Sequence, residues 1–226
     1  MPNAPIDEQG FAVIPEVFAL NDVERLVMQL NGMALPRSRA GLRHALRHPA
    51  IAAWAENARL LGIAREILGR EAFPFRATLF DKSPTSNWLV VWHQDTALPL
   101  RERREAPGWG PWSVKAGVIY AHAPAYALCD VLALRVHLDD STEQNGPLRV
   151  LPGSHKDGVL SDDAIHELVA RLPSVDCTIA KGGILAMRPL LVHSSSKSHS
   201  QGSRRVIHIE YSATATIADG FELAIA

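Results

Sequence analysis

The chain has 226 residues, enough for a well-buried core, with 47% hydrophobic and 21% charged side chains. Its 23 Lys plus Arg stand against 24 Asp plus Glu, a formal net charge of −1. That balance excludes the strong basic field that recruits nucleic acid or anionic membranes, no run of about eighteen apolar residues offers a membrane span, and nothing indicates a protein partner.

The opening stretch MPNAPIDEQG is polar and acidic where a secretory leader is basic and then apolar, so a cytoplasmic location is expected. After Phe11-Ala-Val-Ile-Pro15, Asn21 is expected to cap a helix with Glu24 at the capping-box offset. Val23, Leu26, Val27 and Leu30 then form its apolar stripe. A second helical region is expected over about residues 50 to 68, stopped by Gly69. From Phe73 the pattern changes to short β-branched or aromatic runs, PFRATLF, WLVVW, VLALRVHL, PLRVL, GGILAM and RRVIHIEY, separated by Pro, Gly, Asn and Ser clusters. Such a series predicts a sandwich or barrel. One helix interrupts it, with Ser161 or an adjacent Asp capping Ala164 to Leu172. The longest stretch without regular pattern, between residues 96 and 125, holds Arg101, Arg103, Arg104, Trp109, Trp112 and Lys115 and reads as a lid or substrate loop. Cys129 and Cys177 have no partners at zinc-finger spacing and read as core thiols.

Three His-x-Asp triplets occur, His93-Gln-Asp95, His137-Leu-Asp139 and His155-Lys-Asp157. On a strand, residues i and i+2 share a face, so a triplet at a strand end can put an imidazole and a carboxylate on one ion. His155 follows the turn sequence Pro152-Gly-Ser and fails that test, whereas His93 and His137 both close apolar runs and are not separated by local pattern. The ordinary reading of His137 is a solvated or hydrogen-bonded strand end.

Three longer segments occur in order: Leu138-Asp-Asp-Ser-Thr-Glu-Gln-Asn-Gly-Pro-Leu-Arg-Val-Leu-Pro-Gly-Ser-His155, Pro189-Leu-Leu-Val-His193 and Gln201-Gly-Ser-Arg-Arg205. Together they resemble the phytanoyl-CoA dioxygenase family of iron(II)- and 2-oxoglutarate-dependent oxygenases, over about Gly10 to Tyr211. The resemblance implies a mainly β fold with flanking α-helices, a double-stranded β-helix (jelly roll, cupin-like). Residues 1–226 would form one domain, a helical N-terminal third packed on a jelly-roll core of about residues 73 to 212.

It also implies that His93, Asp95 and His193 hold Fe(II), with the other two triplets as bystanders. 2-Oxoglutarate as cosubstrate would use Arg204, with Ser195, Gln94 and Thr78 at further family contact positions, though on a regular strand Gln94 points away from its neighbours' face. Strand alternation favours Arg204 over Arg205: Arg205, Ile207, Ile209 and Tyr211 share an apolar face suited to packing on helices, and Arg204, Val206, His208 and Glu210 share a polar one. Arg135 stands where the family has an aromatic contact. With Arg104, Trp112 and Lys115 it forms the candidate substrate set. Asp95 occupies the position that halide takes in related halogenases, which favours hydroxylation of a small molecule with dioxygen, releasing succinate and CO2. The residue types alone also allow a zinc metallohydrolase on the same three ligands, or a jelly-roll binding protein without turnover.

Overall fold

The computed structural model describes residues 3–33 and 41–226. In chain order its helices are α1 (Asn3–Gln9), α2 (Leu20–Asn31), α3 (Pro49–Ala55), α4 (Ala58–Leu68), α5 (Ala125–Leu128) and α6 (Asp162–Arg171). The first strands are β1 (Phe11–Ile14), β2 (Phe73–Lys82), β3 (Val90–His93), β4 (Ala97–Leu100), β5 (Trp112–Lys115), β6 (Val118–His122) and β7 (Val131–His137). They are followed by β8 (Leu148–Val150), β9 (Val175–Cys177), β10 (Ile184–Met187), β11 (His193–Ser195), β12 (Arg204–Ser212), β13 (Thr216–Ile217) and β14 (Phe221–Glu222).

A five-stranded sheet, β1-β10-β7-β12-β2, and a four-stranded sheet, β3-β11-β8-β9, make the expected jelly roll, and their strand pairs are antiparallel. Alternation along the long strands decides which side chains face the helices. Ala77 and Leu79 of β2, Leu132, Leu134 and Val136 of β7, and Ile207, Ile209 and Tyr211 of β12 join one apolar cluster with Val23, Leu26 and Leu30 of α2 and Leu60, Leu61 and Ala64 of α4. Each fully buried Leu or Ile there contributes roughly 1.5–3 kcal/mol. The Tyr211 hydroxyl donates to the Ala55 carbonyl at 2.8 Å, tying β12 to the end of α3. The alternate residues of the same strands, Arg76, Thr78, Phe80, Lys82, Arg135, Arg204, His208 and Glu210, line the interior.

Several expectations need correction. Asn21 does not cap α2; the helix begins at Leu20 after Ala19, which makes no side-chain cap. The second helical region is two helices, because Asn57 leaves helical geometry and its side chain accepts from the Arg59 N–H, capping α4. Ser161 caps α6 as expected, accepting from Ala164 N–H. Cys177 is buried, but Cys129 is exposed at the end of α5.

The stretch 96–125 is not irregular: β4, β6 and β5 form a three-stranded antiparallel sheet. Leu98, Leu100 and Ala121 bury against Phe221 and Leu223 of the C-terminal segment. Ala226 also pairs with β2 through Ala226 N to Phe75 O and Ala77 N to Ala226 O. Among the described residues no helix is long and apolar enough to cross a membrane.

Candidate metal centre and anion pocket

His93 is the last residue of β3 and His193 the first of β11, and the antiparallel ladder sets them directly opposite each other, ring centroids 4.2 Å apart. Nδ1 of His93 lies 2.9 Å from the Val91 carbonyl, and Nδ1 of His193 lies 2.8 Å from that of Leu191. A carbonyl only accepts, so both Nδ1 atoms carry the proton and both Nε2 lone pairs are free to bind a metal.

Asp95 lies past the end of β3, its N–H held by the Pro189 carbonyl at 2.9 Å. Its Oδ1 is 3.6 Å from His93 Nε2 and its Oδ2 is 3.5 Å from His193 Nε2. An ion about 2.1 Å from each of three ligands holds neighbouring donors about 3 Å apart, so a small contraction closes the site. Burial opposes ionisation of Asp95, yet the imidazoles of His193 and His93 hold its carboxyl well below the usual range. Burial pushes His193 down to about 4, keeping it neutral. Burial opposes protonation of His93, but the Asp95 carboxylate beside it raises its pKa. Two imidazoles and one carboxylate on one face are the donor set of a divalent metal with open positions. Among the described residues they form the one such cluster.

The other triplets lie elsewhere. His137 is buried at the end of β7, and among the described residues neither ring nitrogen has a partner, unlike the solvated or hydrogen-bonded strand end expected; burial, with Arg135 and Arg204 nearby, pushes it to about 3. Asp139 is engaged by Arg205 through its N–H, Nε and Nη2, at 2.7–2.8 Å. Arg205 thus faces outward and reaches Asn31 of α2, whereas Arg204 turns inward. His155 sits in a 3-10 turn.

The metal candidates line a cavity of about 490 Å3. At one end Arg204 and Lys82 face each other across the β12–β2 ladder. Lys82 Nζ donates to Ser195 Oγ at 2.8 Å and to the Ser196 carbonyl at 2.5 Å, and Arg204 donates to the Asn145 carbonyl at 3.2 Å and to Ser195 Oγ at 3.4 Å. Neither has a carboxylate partner among the described residues. Burial, then Arg204 and Arg135, pushes the Lys82 ammonium down to about 7. Lys82 was not among the sequence candidates, although alternation from Thr78 along β2 leads to it.

The Asn145-Gly146-Pro147 turn builds this end. Gly146 has φ +68°, its carbonyl accepts from Ser195 Oγ at 2.9 Å, and an added Cβ would stand 2.2 Å from the Ser196 carbonyl oxygen. Gly146→Ala is therefore expected to lose more than roughly 1–3 kcal/mol of stability, the usual cost of a strained non-glycine residue; urea unfolding that shows no change would contradict this packing. Ser154 closes the second turn: its hydroxyl donates to Leu151 O and accepts from Val192 N–H, one residue before His193.

Of the remaining sequence candidates, Thr78, Arg135 and Lys115 line the cavity. Gln94 does not: it points opposite to His93 and Asp95, donating to the Gly158 and Leu190 carbonyls and accepting from Leu160 N–H. Trp112 packs near Phe221, and Arg104 stacks on Phe221 and donates to the Asp219 carbonyl, so both are absent from the lining.

These features define a class, the double-stranded β-helix protein with a two-histidine, one-carboxylate cluster that could hold a metal and a buried cationic pocket beside it. The chain belongs to the phytanoyl-CoA dioxygenase (PhyH) family, whose profile matches residues 6–206. Among its relatives, L-proline trans-4-hydroxylase of Streptomyces griseoviridis is 25% identical over 178 residues, 67% of this chain and 59% of the relative. Ectoine dioxygenase of Halomonas elongata is 23% identical over 236 residues, 88% of this chain and 65% of the relative. The chain thus spans less than two thirds of the length of these relatives.

The fold is similar to that of EctD from S. alaskensis solved with 2-oxoglutarate and 5-hydroxyectoine, with TM-score 0.70 and 22% identity, covering 93% of this chain and 74% of that one. It is also similar to the epimerase SnoN of nogalamycin biosynthesis, with TM-score 0.67 and 19% identity, covering 95% and 82%.

Proposed function

We propose that the protein is an iron(II)- and 2-oxoglutarate-dependent dioxygenase that hydroxylates a C–H bond of a small molecule. The observation that carries this reading is the pairing of the His93, Asp95, His193 cluster with two buried cations, Arg204 and Lys82, that have no carboxylate of their own. A buried charge without a partner is costly, and a dianion that reaches from the metal to this end supplies one.

Iron(II) with bound 2-oxoglutarate supplies the oxidising chemistry, by which dioxygen, 2-oxoglutarate and substrate become hydroxylated product, succinate and CO2. The protein's residues do the rest. His93, Asp95 and His193 would hold the ion through three donors, which leaves room for the cosubstrate and dioxygen. Arg204 and Lys82, both held by the Ser195 hydroxyl oxygen, would donate to the far carboxylate of the keto acid. Gln94 buttresses the site from behind by locking the Leu190 and Leu160 segments to β3.

Purified anaerobically, then given iron(II), 2-oxoglutarate and ascorbate under air, the protein is expected to form succinate. No succinate with a broad substrate panel, together with ester or phosphate hydrolysis by a zinc-loaded sample, would overturn the reading.

A further inference from the structure

The cavity is lined by six basic side chains, Arg43, Arg76, Lys82, Lys115, Arg135 and Arg204, and by two acidic ones, Asp95 and Glu210. A divalent metal and a dianionic cosubstrate cancel, so loading the site leaves this excess of positive charge untouched. The basic groups fall into two sets. Lys82, Arg204 and Arg135 perturb one another at one end. Lys115, Arg43 and Arg76 do so at the other, around the ring and hydroxyl of Tyr120.

Arg76 and Lys82 lie six residues apart on β2, which in extended strand is roughly 20 Å. 2-Oxoglutarate has a five-carbon chain and cannot span both ends. Arg76 is already committed, donating to both Glu210 oxygens and to the Ala97 carbonyl. Arg43 and Lys115 have no ion pair among the described residues.

We propose that this second end is an oxyanion subsite: Arg43 and Lys115, with the Arg76–Tyr120 pair behind them, bind a carboxylate, phosphate or sulfate group of the substrate. The inference rests on the oxygenase reading and assigns its substrate class. The lining also includes Phe80 and Trp88, which lie against Arg135 and Lys82, and the exposed Leu89 and Val91, so the body of the substrate is apolar and the hydroxylated carbon lies inward of the oxyanion. Tyr120 is held for this role by His44, whose Nε2 lies 2.9 Å from the tyrosine hydroxyl. Arg43 and Lys115 are substrate-positioning groups, outside the metal chemistry.

The test uses the full chain loaded with Mn(II) and 2-oxoglutarate without air, titrated by calorimetry with benzyl phosphate, phenylacetate and the neutral phenylacetamide. At least one oxyanion is expected to bind, about tenfold or more tighter than the amide, as for one charge-assisted hydrogen bond, and to weaken as salt is added. The better of the two identifies phosphate or carboxylate as the natural group. Arg43→Glu and Lys115→Glu are each expected to lower that affinity by about tenfold or more. Both residues are exposed, so folding is not at stake. Lys156→Glu, on a different surface, controls for net charge and is expected to leave probe binding unchanged.

Equal binding of amide and oxyanions, no binding of either oxyanion, or indifference to both charge reversals would each overturn the proposal. Titration of the Mn(II) protein with 2-oxoglutarate is a separate arm: failure there overturns the cosubstrate reading. The response of the probes to Arg43→Glu and Lys115→Glu still decides the subsite, since Arg204 and Lys82 are retained in those variants.

Discussion

Asp95→Ala is expected to weaken Mn(II) or Fe(II) binding by more than about 100-fold, beyond the 10–100-fold that loss of a supporting outer contact costs, and to abolish succinate formation. The side chain is the one anionic donor of the cluster and lies between both Nε2 atoms. Its main-chain anchor to Pro189 survives the substitution, so circular dichroism and the unfolding midpoint should change little. Asp139→Ala should show the reverse. Its carboxylate accepts three hydrogen bonds from Arg205, and removing it is expected to cost about 1–3 kcal/mol of stability while metal affinity stays at the wild-type value. Calorimetric metal titration beside urea unfolding separates the two. Metal loss in Asp139→Ala with retention in Asp95→Ala would reassign the site.

That pair of variants also marks where the sequence stops being informative. Both triplets end apolar strands, and no local rule tells them apart. What separates them is long-range: β3 lies against β11, which brings His193 opposite His93, whereas β7 is central in its sheet and its Asp139 is taken by an arginine of β12. Period-two alternation, by contrast, was legible and correct along residues 204 to 211, where Arg204 faces the cavity and Arg205 the helices. The same rule carried along β2 reaches Lys82, but the strand continues past the apolar run PFRATLF into Asp-Lys, where composition alone suggests a turn. The sheet β4-β6-β5 was hidden for a similar reason: Pro99 interrupts one strand and Trp112-Ser-Val-Lys115 is largely exposed, so neither shows a buried alternation. Gln94 sits one residue from two candidate ligands and still turns away, which the alternation of a strand requires.

Lys82→Met is expected to weaken 2-oxoglutarate binding to the Mn(II) protein by roughly 10–150-fold, the worth of one charge-assisted hydrogen bond, and to remove a pH dependence that the wild type shows. In the free protein burial, then Arg204 and Arg135, holds the Lys82 ammonium at about 7, far below an ordinary lysine. A dianion binds the protonated form and raises that pKa, so above about pH 7 each binding event must also take up a proton. The sign follows: affinity is full below pH 7 and falls as pH rises through it, by about tenfold per pH unit for one linked proton. Arg204→Met gives the cross-check. It removes a guanidinium whose rigid fork a lysine would not replace, so affinity drops as well. Because Arg204 is one of the charges that depress Lys82, its removal should move the inflection to higher pH, where Lys82→Met simply abolishes it. A wild-type affinity that is flat between pH 6 and 9 on the scale of roughly one linked proton, or an inflection that persists in Lys82→Met, would remove Lys82 from the anion pocket.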